Sequence, residues 1–568
     1  METRDAVLKQ ALAHHLNGDL VAAESLYRRI LARDPGQPMA LRMLGVLLMD
    51  APDSTEAEAV LRRHLAVEPD NPTTLHNLGR LLQGRGRDRD AVAVLFRAVA
   101  GLPGLAPISN DLAVSLHRLG RRDEALAALD HAVAADPGYA IAHDNRGLVL
   151  RDCRRFAEAA QAHRSALAVL PPEAWDDRRS VLLHYARAVF ESGDLAEAER
   201  ACRSVLDRDA TNIDAAEQLA EILDYAGRGD EARALRNGLA RSQGLVRKGR
   251  AEAEATVLLV AGVGASHVPT RYLIDPERFR ILALTLVSPD QSDAPLGGVA
   301  PEALAGAEIM FNTLGEVERD GGHPAAIKAL ARNLGVPVLN PPERVARTGR
   351  DQARVLFGDI PGLLVPGTRR MNRSEPPRLD SFAGPQLIRP GGAHGGKDLV
   401  RIDNDDDLAR YLGDVVHRRF ILTDFHDFRS ADGHYRKYRF IFVDGRPFAY
   451  HLAIGESWLV HYWRAEMGRD EWKMREEEAF LSNWRRVFGP ASHVIDEVAR
   501  RLDLDYGGLD CAMLGDGRVL FFEANASMLV HLDDSEDEFA YKHRAVPPIR
   551  EAVTAMVMAR RGRGRLTA

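Results

Sequence analysis

Five prolines, Pro35, Pro69, Pro103, Pro137 and Pro171, stand 34 residues apart. Small residues keep the same step at Ala11, Gly45, Gly79, Ala113 and Gly147, and again at Ala23, Ala57, Ala91, Ala125 and Ala159. Three tracks in one phase define a structural repeat, and the chain must be read as a stack of equivalent units before anything else. After Pro171 the step slips to 39 residues, as if Pro172–Asp176 (PEAWD) had been inserted. The frame then resumes through Ala186 and Ala220, and through Ala198 and Ala232. Seven units result, filling residues 1–246.

Each track has a physical reason. Small residues let two helices of one hairpin approach closely. Apolar residues at helical spacing, such as Leu41, Leu44 and Leu48 or Val92 and Leu95, face a partner helix. A proline after the second helix ends it, because its ring cannot continue the hydrogen-bond ladder. Asp-Pro-Gly at 34–36 and 136–138 is turn chemistry. The period and its residues resemble the tetratricopeptide repeat, a helix–turn–helix unit. That resemblance implies an all-α solenoid with a concave face for a peptide or protein partner. The plainer alternative is a spacer or a module for homo-oligomer assembly. The histidines of this half, His14, His15, His64, His76 and His163 among them, show no metal-ligand spacing. They are expected to be solvated or to pack between helices.

Composition serves mainly to exclude. A chain of 568 residues predicts about three or four domains. Its three cysteines, Cys153, Cys202 and Cys511, allow neither a disulfide framework nor a four-thiolate metal site. They fit a reducing, cytoplasmic setting. The 75 basic and 82 acidic residues give a formal charge of −7. That balance argues against bulk nucleic-acid or polybasic membrane binding. The first ten residues, METRDAVLKQ, lack a signal peptide's apolar core. The longest apolar runs, such as Val257–Ala265, fall short of the ~20 residues that span a bilayer. The basic tail Arg560–Arg565 reads as a solvated end.

The composition shifts after the repeats. Residues 247–255 lie in a polar stretch, Gly244–Ala255, and read as a linker. Over 256–345, the apolar runs at Thr256, Arg280–Val287, Ala307–Phe311 and Val336–Leu339 alternate with helical spacing, notably His323–Asn333. This alternation predicts a small parallel α/β domain. Gly262–Ala265 (GVGA) is too partial for a dinucleotide fingerprint.

Residues 346–568 carry the chemistry. Arg350–Phe357 reads as a helix. In Gln386–Arg401 a strand ends at Arg389, a loop carries Gly391, Gly392, His394, Gly395, Gly396 and Lys397, and another strand begins at Leu399. Clustered glycines let backbone N–H groups approach phosphates. The plainer reading is a flexible hairpin tip. Phe420–Phe425 (FILTDF) is strand-like, and Asp444-Gly445 is a hairpin signal with Arg439 and His451 on the flanking strands. His451–Met467 packs His451, Ser457, His461 and several aromatics together, either as an acceptor pocket or as a core patch. In Tyr506–Ala526, a two-residue turn at Asp516-Gly517 places Asp510 opposite Glu523, with Asn525 two residues on and on the same face. Facing carboxylates repel unless a cation joins them. An all-oxygen set of this kind suits Mg2+ or Mn2+.

In this order, the segments from about Thr256 to the C-terminus resemble the ATP-grasp superfamily of carboxylate–amine and carboxylate–thiol ligases. They are most similar to its glutathione-synthetase and ribosomal-protein glutamate-ligase branch. The resemblance implies an α/β pre-ATP-grasp domain at 256–345 and an α+β ATP-grasp catalytic domain at 346–568. It implies ATP and Mg2+ (or Mn2+) as cofactors, with Asp510, Glu523 and Asn525 as metal ligands. Arg350, Arg389, Gly391, Gly392, His394, Gly395, Gly396, Lys397 and Asp424 would line the ATP site. Arg439 and Arg389 would act on the transferred phosphoryl group. His451, Ser457 and His461 would face the substrate. The implied activity is ligation through an acyl phosphate, on small-molecule or peptide carboxylate and amine substrates. The family places lysines at two nucleotide-contacting positions. Here the RDQAR segment offers Arg350, Gln352 and Arg354 for the first, and Arg389 stands at the second. An ATP-binding adaptor without catalysis is therefore the alternative reading.

Overall fold

The computed structural model describes residues 4–49, 55–250, 252–262, 268–287, 296–315, 323–377, 382, 384–391, 398–415, 417–460, 465, 467, 470–532 and 539–561. The chain divides into two compact units, Met1–Ala201 and Cys202–Ala568, each taken by itself below.

The repeat frame appears as fourteen helices running from Arg4–Leu16 to Gly229–Gln243, among the described residues. Helices end at Arg33, Val67, Gly101, Ala135 and Val169, each two residues before a proline of the 34-residue track. Ala23, Ala57, Ala91, Ala125 and Ala159 are all fully buried. Gly45 and Gly79 allow close approach: a methyl group on Gly79 would stand 2.5 Å from Leu95. A further track lies in the turns between paired helices. Gly18, Gly86, Gly120, Gly193 and Gly227 all have positive φ, and Arg154 takes the same left-handed conformation at the equivalent place. Glycine adopts it without steric cost, which is why the turns keep it.

Among the described residues, Cys202–Ala568 contains the last two of these helices and three sheets. The first sheet is built from β1 (Leu245–Lys248), β2 (Ala255–Gly262), β3 (Phe279–Leu286), β4 (Ile309–Asn312) and β5 (Val338–Leu339), in the order β1-β3-β2-β4-β5. β2 runs parallel to β3 and β4, and β4 to β5, as the α/β alternation predicts. The helix His323–Leu334 covers one face through Ile327 and Leu330, packed with Leu258, Val260 and Leu282. The expected linker, 247–255, is corrected at its ends: Arg247 and Lys248 belong to β1 and Ala255 to β2. Leu245–Lys248 pairs antiparallel with β3, Leu245 opposite Leu284. A four-residue segment that begins with Leu245 and Val246 and ends with two cations can still add a strand, because the edge of β3 offers backbone partners that composition does not report.

Two antiparallel-rich sheets follow. One contains β7 (Thr368–Asn372), β10 (Arg419–Asp424), β8 (Gln386–Pro390) and β9 (Val400–Ile402), in that order. Its core of Ile388, Leu422 and Ile402 packs with Leu408 and Tyr411 of the helix Asp405–Asp414. The other contains β12 (Arg446–Gly455), β11 (Tyr435–Val443), β13 (Tyr506–Met513), β14 (Val519–Asn525) and β6 (Leu363–Leu364). Phe440, Cys511 and Leu520 sit in its core with Phe480 and Phe488. Cys511 is the buried core thiol its place beside Asp510 predicts, and burial pushes its pKa up. Asp444-Gly445 forms the β11–β12 turn, with φ of 51° and 73°.

Among the described residues, no helix is long and apolar enough to cross a membrane.

Candidate active site

Asp510 and Glu523 face each other across β13 and β14, as expected, but the strands reach that register by another route. The turn is not the two-residue one. Leu514 N–H donates to the Arg518 carbonyl at 2.8 Å and Gly517 N–H to the Leu514 carbonyl at 2.9 Å. The loop is therefore Gly515-Asp516-Gly517, closed by Gly517 at φ 84°. Near the turn, Cys511 pairs with Phe521 and Met513 with Val519. Without correction, this register would leave Glu523 on the opposite face from Asp510. A β-bulge next to Asp510 inserts Phe522 as an extra residue and brings Glu523 opposite Asp510. The Phe522 ring packs edge-on to Phe428.

Asp510 is fully buried. Arg439 on β11 pairs with it in register and grips both carboxylate oxygens, Nε to Oδ1 at 2.6 Å and Nη2 to Oδ2 at 2.8 Å. Lys437 Nζ lies 2.6 Å from Oδ2. Lys437 and Arg439 are two apart on one strand and so share a face. Arg350 donates to Glu523 Oε2 at 2.8 Å, and Arg389 of β8 stands 3.9 Å from the same oxygen. Burial alone would raise both carboxyl pKa values. The guanidinium of Arg439 and the ammonium of Lys437 instead hold Asp510 well below its ordinary range. Arg350 and Arg389 bring Glu523 down to about 2. Asn525 accepts from the Ser527 backbone N–H at 3.0 Å, which fixes its side-chain oxygen.

These groups border a cleft of about 450 Å³. Arg350, Arg389, Lys437 and Arg439 line it, together with Glu523 and Asn525. Apolar walls come from Val365, Leu387, Phe425 and Trp458. Asp424 also borders it, accepting from the Gly367 backbone N–H at 3.0 Å. His451 lines the cleft opposite Arg439 in register. Desolvation, then the neighbouring Arg439, push the His451 pKa well below its ordinary value, so the imidazole is neutral. The buried Lys542 borders the same space, and desolvation brings its pKa down to about 6.

Other expected residues fall elsewhere. Gly391 is exposed and gives its N–H to the Arg419 carbonyl, continuing the strand pairing instead of facing the cleft. Ser457 is also exposed, and its hydroxyl accepts from the Leu459 N–H. Gly392, His394, Gly395, Gly396, Lys397 and His461 lie outside the described residues, as do the last three residues of the 262–265 motif. The sequence reading missed Lys437 and Lys542. For Lys437 the signal was present, because alternation along β11 places it beside Arg439.

Two models of the tetratricopeptide repeat match the chain, at residues 14–82 and 110–178. The N-terminal array therefore carries tetratricopeptide repeats. No curated protein matches the chain. Among solved structures, the chain is similar to MamA at 23% identity, over 30% of this chain and 92% of that one, with a TM-score of 0.28. It is similar to PilF of Pseudomonas aeruginosa at 19% identity, over 38% of this chain and 97% of that one, with a TM-score of 0.34. It is also similar to YrrB, described as a tetratricopeptide-repeat protein with an unusual peptide-binding site, at 14% identity, over 33% of this chain and 95% of that one, with a TM-score of 0.30.

Proposed function

We propose that this chain is an ATP-dependent carboxylate–amine or carboxylate–thiol ligase of ATP-grasp type, its repeats recruiting a peptide or protein substrate or partner. The carrying observation is the charge balance of the cleft. Among the described residues, Arg350, Arg389, Lys437 and Arg439 pair with two carboxylates, Asp510 and Glu523, while the cleft's other carboxylate, Asp424, lies 3.6 Å from a separate cation, Arg369. Two positive charges are left over in a partly desolvated space. A magnesium complex of a nucleoside triphosphate carries about two negative charges, so the ligand and the site neutralise each other.

The donor set fits the metal. Asp510, Glu523 and Asn525 offer only oxygen atoms from two adjacent strands, which suits Mg2+ or Mn2+. When bound, the metal would neutralise charge on the phosphate oxygens. The four cations would hold the phosphates, and Arg439 would follow charge as it develops on the transferred group. Val365, Leu387 and Phe425 would exclude water from the base end. Neutral His451, opposite Arg439 on the cleft wall, would face the substrate as an uncharged hydrogen-bonding group.

The test is ADP release from purified chain supplied with ATP, Mg2+ and mixed carboxylates and amines. Turnover that falls at least 100-fold in Asp510→Asn and Glu523→Gln supports ligation. Tight ATP binding with no turnover under any mixture refutes it. That outcome would favour the second reading, a nucleotide-binding adaptor. One observation favours the adaptor: Arg439 and Lys437 already occupy both oxygens of Asp510.

A further inference from the structure

The repeat frame contains one exchange that packing does not explain. Leu61, Leu95 and Leu129 are each fully buried and follow one another at 34-residue steps; the next position in the track is His163. Leu61 and Leu95 pack on Gly45 and Gly79, and His163 takes the same place on Gly147, with Nε2 2.5 Å from where a methyl group on that glycine would stand. His163 is fully buried, and its Nε2 has no hydrogen-bond partner. An imidazole in a leucine's place gives up apolar packing and leaves a polar atom unsatisfied. It is kept where its other nitrogen has work to do.

That nitrogen, Nδ1, lies 2.7 Å from Asp144 Oδ1. His184 Nδ1 approaches the same carboxylate at 3.1 Å. One ligand atom from each of Asp144, His163 and His184 lies within 4.8 Å of the other two. The three residues come from three successive helices, Ala140–Asp152, Phe156–Val169 and Trp175–Glu191. A tetrahedral Zn2+ with ligands at about 2.0–2.1 Å needs ligand atoms about 3.4 Å apart. Shifts of a few tenths of an ångström to about an ångström convert the hydrogen-bonded set into a coordination set. Two imidazoles and one carboxylate are the donors that divalent transition metals of this kind prefer. His184 is about one-third exposed and Asp144 is partly so. A fourth position is therefore open to solvent.

We propose that Asp144, His163 and His184 form a site for a divalent transition metal, of which Zn2+ is the physiological example, within the repeat array. Binding moves the proton of each coordinating Nδ1 to Nε2 or to solvent, and the ion replaces two hydrogen bonds with three coordinate bonds. The metal ties three helices across the point where the 34-residue frame is broken by the inserted PEAWD segment.

The test uses the full chain, stripped with EDTA and desalted, then titrated with Zn2+ by calorimetry and with Co2+ by visible absorption. The comparison variants are His163→Leu, which restores the residue of the other repeats, and His184→Ala at the more exposed ligand. The expected result is one more equivalent of Zn2+ in the wild type than in either variant. An intense tetrahedral Co2+ band should appear in the wild type and be lost in both. Zn2+ should raise the melting temperature of the wild type alone. Equal stoichiometry in all three proteins, or a Co2+ band that survives both substitutions, overturns the proposal. His163→Leu that folds normally, with unchanged metal binding, would assign the cluster a purely hydrogen-bonded role.

Discussion

Replacing Asp510 with Asn removes the charge of a fully buried carboxylate and leaves the half-buried Lys437 and Arg439 behind. Three charge-assisted contacts at 2.6–2.8 Å depend on that charge. Breaking a buried ion pair from one side costs about 3–5 kcal/mol, chiefly because the remaining charge stays buried. Asn keeps one acceptor oxygen for Arg439, so the lower end, about 3 kcal/mol, is expected. Urea unfolding followed by tryptophan fluorescence reports on this part of the chain, since Trp458, Trp463, Trp472 and Trp484 all fall within it and only Trp175 lies outside. The diagnostic step is a second substitution. Lys437→Met in the Asp510→Asn background removes an uncompensated cation and should restore about 1 kcal/mol or more. A loss below about 1 kcal/mol in the single variant, or no recovery in the double, would mean that solvent screens the cluster. The charge argument for the cleft would then fail.

Further outcomes follow from the same geometry. Arg350 and Arg389 hold the Glu523 carboxyl at about 2, down from its ordinary 4.5, so its contribution is complete above pH ~4.5 and disappears as pH falls toward 2. A pH series of urea midpoints should show a loss across that window that is larger in the wild type than in Glu523→Gln by on the order of 3 kcal/mol, the remaining loss coming from other low-pKa carboxyls such as Asp510. Arg154 holds φ 61° where the other turns have glycine, and Arg154→Gly should raise stability by about 0.5–1 kcal/mol in thermal unfolding of the repeat unit. Gly79→Ala places a methyl group against Leu95 and should destabilise by about 1–2 kcal/mol, overpacking outweighing helix propensity. Gly238→Ala, in a helix with nothing within 4 Å, should instead gain up to about 1 kcal/mol.

Periodicity carried the repeat array. Prolines, alanines and glycines at one step record helix ends and close contacts, and such local constraints are written directly into composition by position. The parallel strands β2 to β4 were legible for a similar reason, as short apolar runs between helical spacings. Legibility failed where partners are distant. β1 is short and half charged, and the edge of β3 is what makes it a strand. Asp144, His163 and His184 are 19 and 21 residues apart in sequence, and they meet because three helices stack. No local spacing rule finds them. The Lys437–Asp510 pair crosses from β11 to β13, so its partner was hidden even though alternation placed the lysine beside Arg439. Gly391 and Ser457 show the converse. Residue type made them plausible, and a strand end and a turn claimed them instead.

The Gly515–Gly517 loop is exposed, as loops that vary freely in length usually are. Here its length is tied to the extra residue at Phe522. A deletion in the loop alone shifts every pair between the loop and Asp510, and an insertion does the same in the other direction. Straightening the bulge alone turns Glu523 away from Asp510. Each change abolishes the carboxylate pair when made singly, and only a matched change at both places preserves it. Lineages of this protein should therefore hold loop length and bulge fixed together, and any relative that has altered one should have altered the other.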